Sequence, residues 1–149
     1  MKIILTIFCF IMATACATVE PRPVKFQTKP KTTAEQQLAQ AVEAMINAYN
    51  NGDIKKHVSY YAPDAKIESP RARGTVSRDQ YESTLLGSQG NLPFIKLDVL
   101  KIIELSPNRM RIEANISSSG ALGTSLGPII YELVQREQNW LVIEQRFPR

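Results

Sequence analysis

Ala48-Tyr49-Asn50-Asn51-Gly52-Asp53, followed by Tyr60-Tyr61-Ala62-Pro63-Asp64-Ala65-Lys66-Ile67-Glu68-Ser69-Pro70, is the stretch whose reading decides the fold. Asn50-Asn51-Gly52 stops a helix, with Gly52 suited to a left-handed cap. Asp53 is the N-cap of a second helix. Ile54, Val58 and Tyr61 form its apolar stripe, and Pro63 is expected to end it. Ala65 to Pro70 then reads as a short strand. Upstream, Thr32 with Glu35, or Thr33 with Gln36, fits a capping box. Leu38, Val42, Met45, Ile46 and Tyr49 recur at helical spacing behind it and define one buried face.

Downstream, Ser77-Arg78-Asp79-Gln80 is another capping box and opens a short helix through Leu86. After Gly87 the character changes. Phe94–Leu105, Arg109–Ser117, Leu126–Glu137 and Trp140–Phe147 are β-rich runs separated by Ser106-Pro107-Asn108, a Gly/Ser-rich connection from Ser117 to Thr124, and Gln138-Asn139. Helices first and an antiparallel meander after them predict an α+β domain over residues 33–149, with helices packed on one face of the sheet.

The N-terminus carries an address. Lys2, the apolar run Ile3–Met12 and Ala13-Thr14-Ala15 form an export signal over residues 1–15. The run is shorter than the ~20 residues needed to span a bilayer. Two cleavage readings compete. Cleavage at the A-x-A site after Ala15 would release a soluble periplasmic protein. Ala13-Thr14-Ala15-Cys16 also resembles a lipobox, departing from it in having Ala13 where a large aliphatic is usual. Cys9 leaves with the signal, so soluble secretion would expose Cys16 as a lone thiol in an oxidising compartment. Lipidation consumes that thiol. Ala17 follows Cys16 where an Asp would favour inner-membrane retention, so the lipoprotein reading predicts an outer-membrane anchor facing the periplasm. Residues 16–32 carry several prolines and basic side chains and are read as an extended tether between anchor and domain.

Composition excludes several function classes. The formal net charge is +4, and loss of residues 1–15 removes Lys2 alone among the charges. That mild excess is no nucleic-acid footprint. With one His and Cys16 taken by the anchor, no zinc site can be assembled. There is no glycine-rich phosphate loop, and no cofactor is expected. One domain of this length must be held by its core, because no disulfide is possible after processing.

The helix–Gly52-Asp53–helix–Tyr61-Ala62-Pro63-Asp64-Ala65 unit, the helix from Ser77 and the closing meander with Trp140 resemble the nuclear transport factor 2-like superfamily, with its SnoaL-like and ketosteroid isomerase branches. The resemblance implies a cone-shaped, cystatin-like α+β fold with an apolar pocket at its open end. It also implies homodimers through the sheet. The isomerase branch's catalytic Asp and Tyr fall on Ser69 and Met45, which argues against that chemistry. Ser69 would then face the pocket and Glu68 face away, with Tyr49 and Tyr61 as further pocket candidates. His57 reads either as a pocket acid/base or as a boundary histidine with one ring nitrogen satisfied. The lack of a carboxylate or nucleophile at motif spacing favours the second. Glu132 shares a strand face with Ile130 and Val134, opposite Ile129, Tyr131 and Leu133, and is catalytic only if its face lines the pocket. Arg71 and Arg73 flank the expected rim. Three functions follow as expectations: an anchored, non-enzymatic module binding a small apolar ligand or a protein partner; a SnoaL-like isomerase, cyclase or hydrolase using His57 or Glu132; or an envelope assembly factor acting through its sheet face.

Overall fold

A capping box starts the first helix, α1 (Thr33–Asn50), in the computed structural model: Thr32 accepts from the Glu35 backbone N–H, and the Glu35 carboxylate accepts from the Thr32 N–H. The structure describes residues 22–69, 74–119 and 125–148, with the side chains of Ser125 and Leu126 left aside. Cys16, the export signal, Arg71 and Arg73 lie outside the described residues. Leu38, Val42, Met45, Ile46 and Tyr49 are all buried on one face of α1, as their spacing predicts. Gly52 follows the helix at φ +74°, a left-handed conformation that costs glycine little. Asp53 caps α2 (Ile54–Ser59) by accepting from the Lys56 N–H at 3.1 Å. Ser77 and Gln80 form the second capping box and open α3 (Arg78–Leu86).

The strands are β1 (Val24–Phe26), β2 (Tyr61–Ser69), β3 (Gly74–Val76), β4 (Phe94–Ser106), β5 (Arg109–Ser119), β6 (Ser125–Arg136) and β7 (Asn139–Arg146). They form one curved, mixed sheet in the order β1-β4-β5-β6-β7-β2-β3. β4 to β7 are the expected antiparallel meander. Alternate residues of these strands, such as Leu97, Ile112, Leu133 and Val142, form an inner face that the helices cover.

Three expectations are corrected. The sheet is not wholly antiparallel, because β1 joins β4 and β2 joins β7 in parallel. The segment read as tether contains β1: Val24 is buried, Pro23 C=O accepts from Leu97 N–H at 2.7 Å, and Gln27 N–H donates to Val99 C=O at 2.9 Å. Prolines are tolerated there because β1 is an edge strand. The third correction concerns Pro63, which does not end α2. The helix stops at Ser59, and Pro63 lies within β2, where the pairing with β7 shifts register between Tyr61 and Lys66. An irregular ladder does not need the N–H that proline lacks.

The Asn50 side chain joins the two layers. Its amide donates to Ile95 C=O at 2.9 Å and accepts from Ile95 N–H at 2.8 Å. This clamp fixes the C-terminal end of α1, with Tyr49, against the start of β4.

Candidate functional site

Between the helices and the inner sheet face lies a cavity of about 250 Å³. Leu85, Pro93, Ile95, Ile116, Ile129 and Phe147 give it apolar walls. Its polar groups are those of Tyr49, Tyr81, Tyr131, Ser69, Ser118, Gln145 and His57; among the described residues, no side chain with a formal charge lines it. A larger groove of about 1070 Å³ runs between α1 and the β6–β7 turn, but it is open, and exposed amides such as Gln138 and Asn139 contribute much of its lining. The smaller cavity gathers the buried polar side chains of His57, Ser69 and Gln145, and site chemistry belongs there.

His57 sits on α2 with 2% of its surface exposed. Its Nδ1 lies 3.0 Å from Met45 C=O and its Nε2 lies 3.4 Å from the Tyr81 hydroxyl. A carbonyl can only accept, so Nδ1 carries the proton; this assignment follows from the partner's chemistry. Burial lowers the His57 pKa to about 4, against the opposing pull of the Met45 carbonyl. The ring is therefore neutral near pH 7, with a lone pair on Nε2. Tyr49 and Tyr61 meet it edge-on, with centroids 5.2 and 5.4 Å away, and Tyr81 lies at 5.9 Å.

Tyr61 was expected in the pocket but stands behind its wall. Being the first residue of β2, it is 1% exposed and donates to Gln145 Oε1 at 2.7 Å. The Gln145 Nε2 donates to Glu68 C=O at 3.0 Å. Burial pushes the phenols of Tyr61 and Tyr131 well above their ordinary value, and the neighbouring tyrosines add to the shift. Ser69 and Tyr49 do line the cavity, and the Glu68 carboxylate accepts from Phe147 N–H at 2.7 Å. Met45 is buried outside the lining and contributes its backbone carbonyl alone.

Glu132 is on the other face. Tyr131 faces the cavity, so its sequence neighbour points outward. There the carboxylate accepts from Arg111 at 2.7 and 3.1 Å and from Arg109. Burial opposes its ionisation, yet the two guanidiniums overcome that and hold the carboxyl below its usual range. The structure does not bring His57 and Glu132 together. Among the described residues, no group of three His, Cys, Asp or Glu could hold a metal ion.

Sequence reasoning passed over Tyr81, Gln145 and Ser118 as site residues. Tyr81 carried a signal, as an aromatic in the turn after a capping box. Gln145 carried none, because its inward direction depends on a register shift: Leu133 pairs with Val142 but Glu132 pairs with Glu144, which skips Ile143 and reverses the alternation.

An α+β protein with helices on the inner face of a curved sheet and a cavity between them is the class that this geometry defines. The sequence matches no family model and no curated protein. Solved structures do match. An NTF-2 like protein of unknown function from Shewanella oneidensis MR-1 superposes with a TM-score of 0.68 at 14% identity, covering 75% of this chain and 96% of that one. A putative calcium/calmodulin dependent protein kinase II association domain from Xanthomonas campestris gives 0.65 at 15% identity, covering 82% and 91%. A ketosteroid isomerase-like protein from Erwinia carotovora atroseptica SCRI1043 gives 0.58 at 16%, covering 74% and 91%. The chain has the nuclear transport factor 2-like fold, as the Ala48–Pro70 stretch predicted. At these identities the likeness defines the fold and leaves the chemistry to the site.

Proposed function

We propose that this protein is a membrane-anchored binding module of the cell envelope. A lipid on Cys16 holds it at the periplasmic side of the outer membrane, and the cavity binds a small, neutral, mostly apolar molecule. The observation that carries this reading is the cavity itself: about 250 Å³ of mostly apolar space with scattered hydroxyls and, among the described residues, no charged lining side chain. A 150 Å³ cavity accommodates benzene, so this one suits a ligand of about ten non-hydrogen atoms. An ionised ligand would lose its hydration with no counter-charge among the described lining residues to replace it.

Binding is favoured over turnover. The enzymatic alternative is left with His57, because Glu132 is on the opposite face. A histidine with its pKa lowered to about 4 is a weak base near neutral pH, and no carboxylate among the described lining residues would orient it. Native mass spectrometry of protein purified from its own envelope tests the binding reading. A co-purifying neutral molecule supports it, and a consistently empty protein contradicts it. Fatty-acid labelling tests the anchor separately: label should disappear in Cys16→Ala, and label that persists there contradicts lipidation.

A further inference from the structure

Docking of β1 on β4 shortens the link to the membrane. Only the six residue steps from Cys16 to Arg22 separate an anchor on Cys16 from the described fold. At ~3.6 Å per step they reach ~22 Å at most. The β1 edge of the sheet is therefore held within that distance of the bilayer, while β2 and β3 stand at the opposite end of the strand order.

Residues 28–31, just after β1, and residues 99–103 of β4 enclose a pocket of about 200 Å³. Lys29, Lys31 and Lys101 line it and are exposed. None of their ammonium groups has an ion-pair or hydrogen-bond partner among the described residues, although Lys101 stands opposite Glu113 in the ladder. Arg109, Arg111, Arg136 and Arg146, by contrast, each meet a carboxylate. Glu35 is the one acid among the described lining residues, and its carboxylate accepts from the backbone N–H groups of Lys31 and Thr32.

The same pocket is apolar between its cations. Leu100 is the extra residue of a β-bulge: Val99 pairs with Ala114 and Lys101 with Glu113, so nothing opposes it. The bulge leaves this large aliphatic 39% exposed beside the lysines, with Ile102 and Ile103 half-buried next to it. Cations without acids around exposed aliphatic groups match a bilayer interface, where ammonium groups sit at phosphate level and the aliphatic groups at the acyl boundary.

We propose that this pocket docks the domain on anionic phospholipid of the membrane that carries its anchor. This rests on the anchor reading above and adds which face turns to the bilayer. Each lysine near a negative leaflet strengthens the docking about fivefold.

Lysine acetylation, read by mass spectrometry, tests the docking on protein purified from its own envelope and reconstituted on vesicles. The vesicles are phosphatidylcholine alone or phosphatidylcholine mixed with phosphatidylglycerol. Lys29, Lys31 and Lys101 should react about tenfold more slowly on the anionic vesicles, and high salt should remove that protection. Lys66, exposed on β2 at the other end of the sheet, should react equally on both. Equal rates for the three lysines on both vesicles, or slowing of Lys66 as large as theirs, overturns the docking and leaves the anchor intact. Slowing of the three without vesicles assigns the face to a second copy and also overturns it. Flotation with anionic but not neutral vesicles, with the three lysines protected, contradicts the anchor and keeps the docking; flotation with neither overturns both. Leu100→Glu, at an exposed position, should return the three rates on anionic vesicles to those on neutral ones. Undiminished protection in that variant would overturn the assignment to this pocket.

Discussion

Tyr131 and Glu132 are adjacent in β6 and stand in opposite electrostatic worlds. Tyr131 enters the inner face, where burial keeps its phenol protonated far beyond the ordinary range. Glu132 leaves by the outer face, where Arg109 and Arg111 keep it ionised. Both residues are almost fully covered, at 3% and 4% exposed. Coverage alone therefore does not set ionisation. Glu132 is covered by its own counter-charges, whose side chains remain 47% and 30% exposed, while Tyr131 is covered by the core. The sheet thus separates Tyr131, packed in the apolar core, from Glu132, held among arginines on the outer face.

The largest effect should come from moving a charge across that divide. Tyr131→Glu places a carboxylate in a wall with no cation among its described lining residues and should cost about 4 kcal/mol or more, enough to remove the cooperative melt seen by circular dichroism. A cooperative transition of wild-type midpoint would contradict the division.

Acid should affect the two faces in separate windows. As pH falls from 6.5, the unfolded chain protonates His57 before the folded one does, so stability drops until about pH 4. Over that window urea titrations should show a loss of about 3 kcal/mol from this residue. Glu132 behaves differently. Its folded pKa is depressed below 4.5, so its contribution is present above that value and is lost only as pH falls through the lower, folded one. His57→Leu should therefore flatten the loss between pH 6.5 and 4 and leave the more acidic loss in place.

The smallest effect belongs to Glu132→Gln. The arginines can turn to solvent, so the change should cost about 1 kcal/mol and shrink further in high salt. A cost as large as that of Tyr131→Glu would mean that Glu132 lies in the interior after all.

Much of the frame was legible because its signals are local. Thr32/Glu35, Gly52, Asp53 and Ser77/Gln80 each solve a helix-end problem with the residue itself and its near neighbours. β1 was illegible because it is three residues long and proline-flanked, and it is stabilised by a partner far along the chain. Tyr61 was misread because helical spacing from Ile54 and Val58 continues by coincidence into β2. At the site, alternation separated Tyr131 from Glu132 correctly but could not say which face was inner. Ser69 was placed on the cavity side by the family resemblance. Gln145 was hidden because a skipped residue in β7, invisible in the sequence, turns it inward.

Nitrogen-15 NMR of the His57 ring across pH tests the neutral interior most directly. The account predicts one neutral tautomer, protonated at Nδ1 and bare at Nε2, persisting from pH 7.5 to below pH 5 and titrating near pH 4. Titration near the ordinary value of 6.5, or a proton on Nε2, would contradict it.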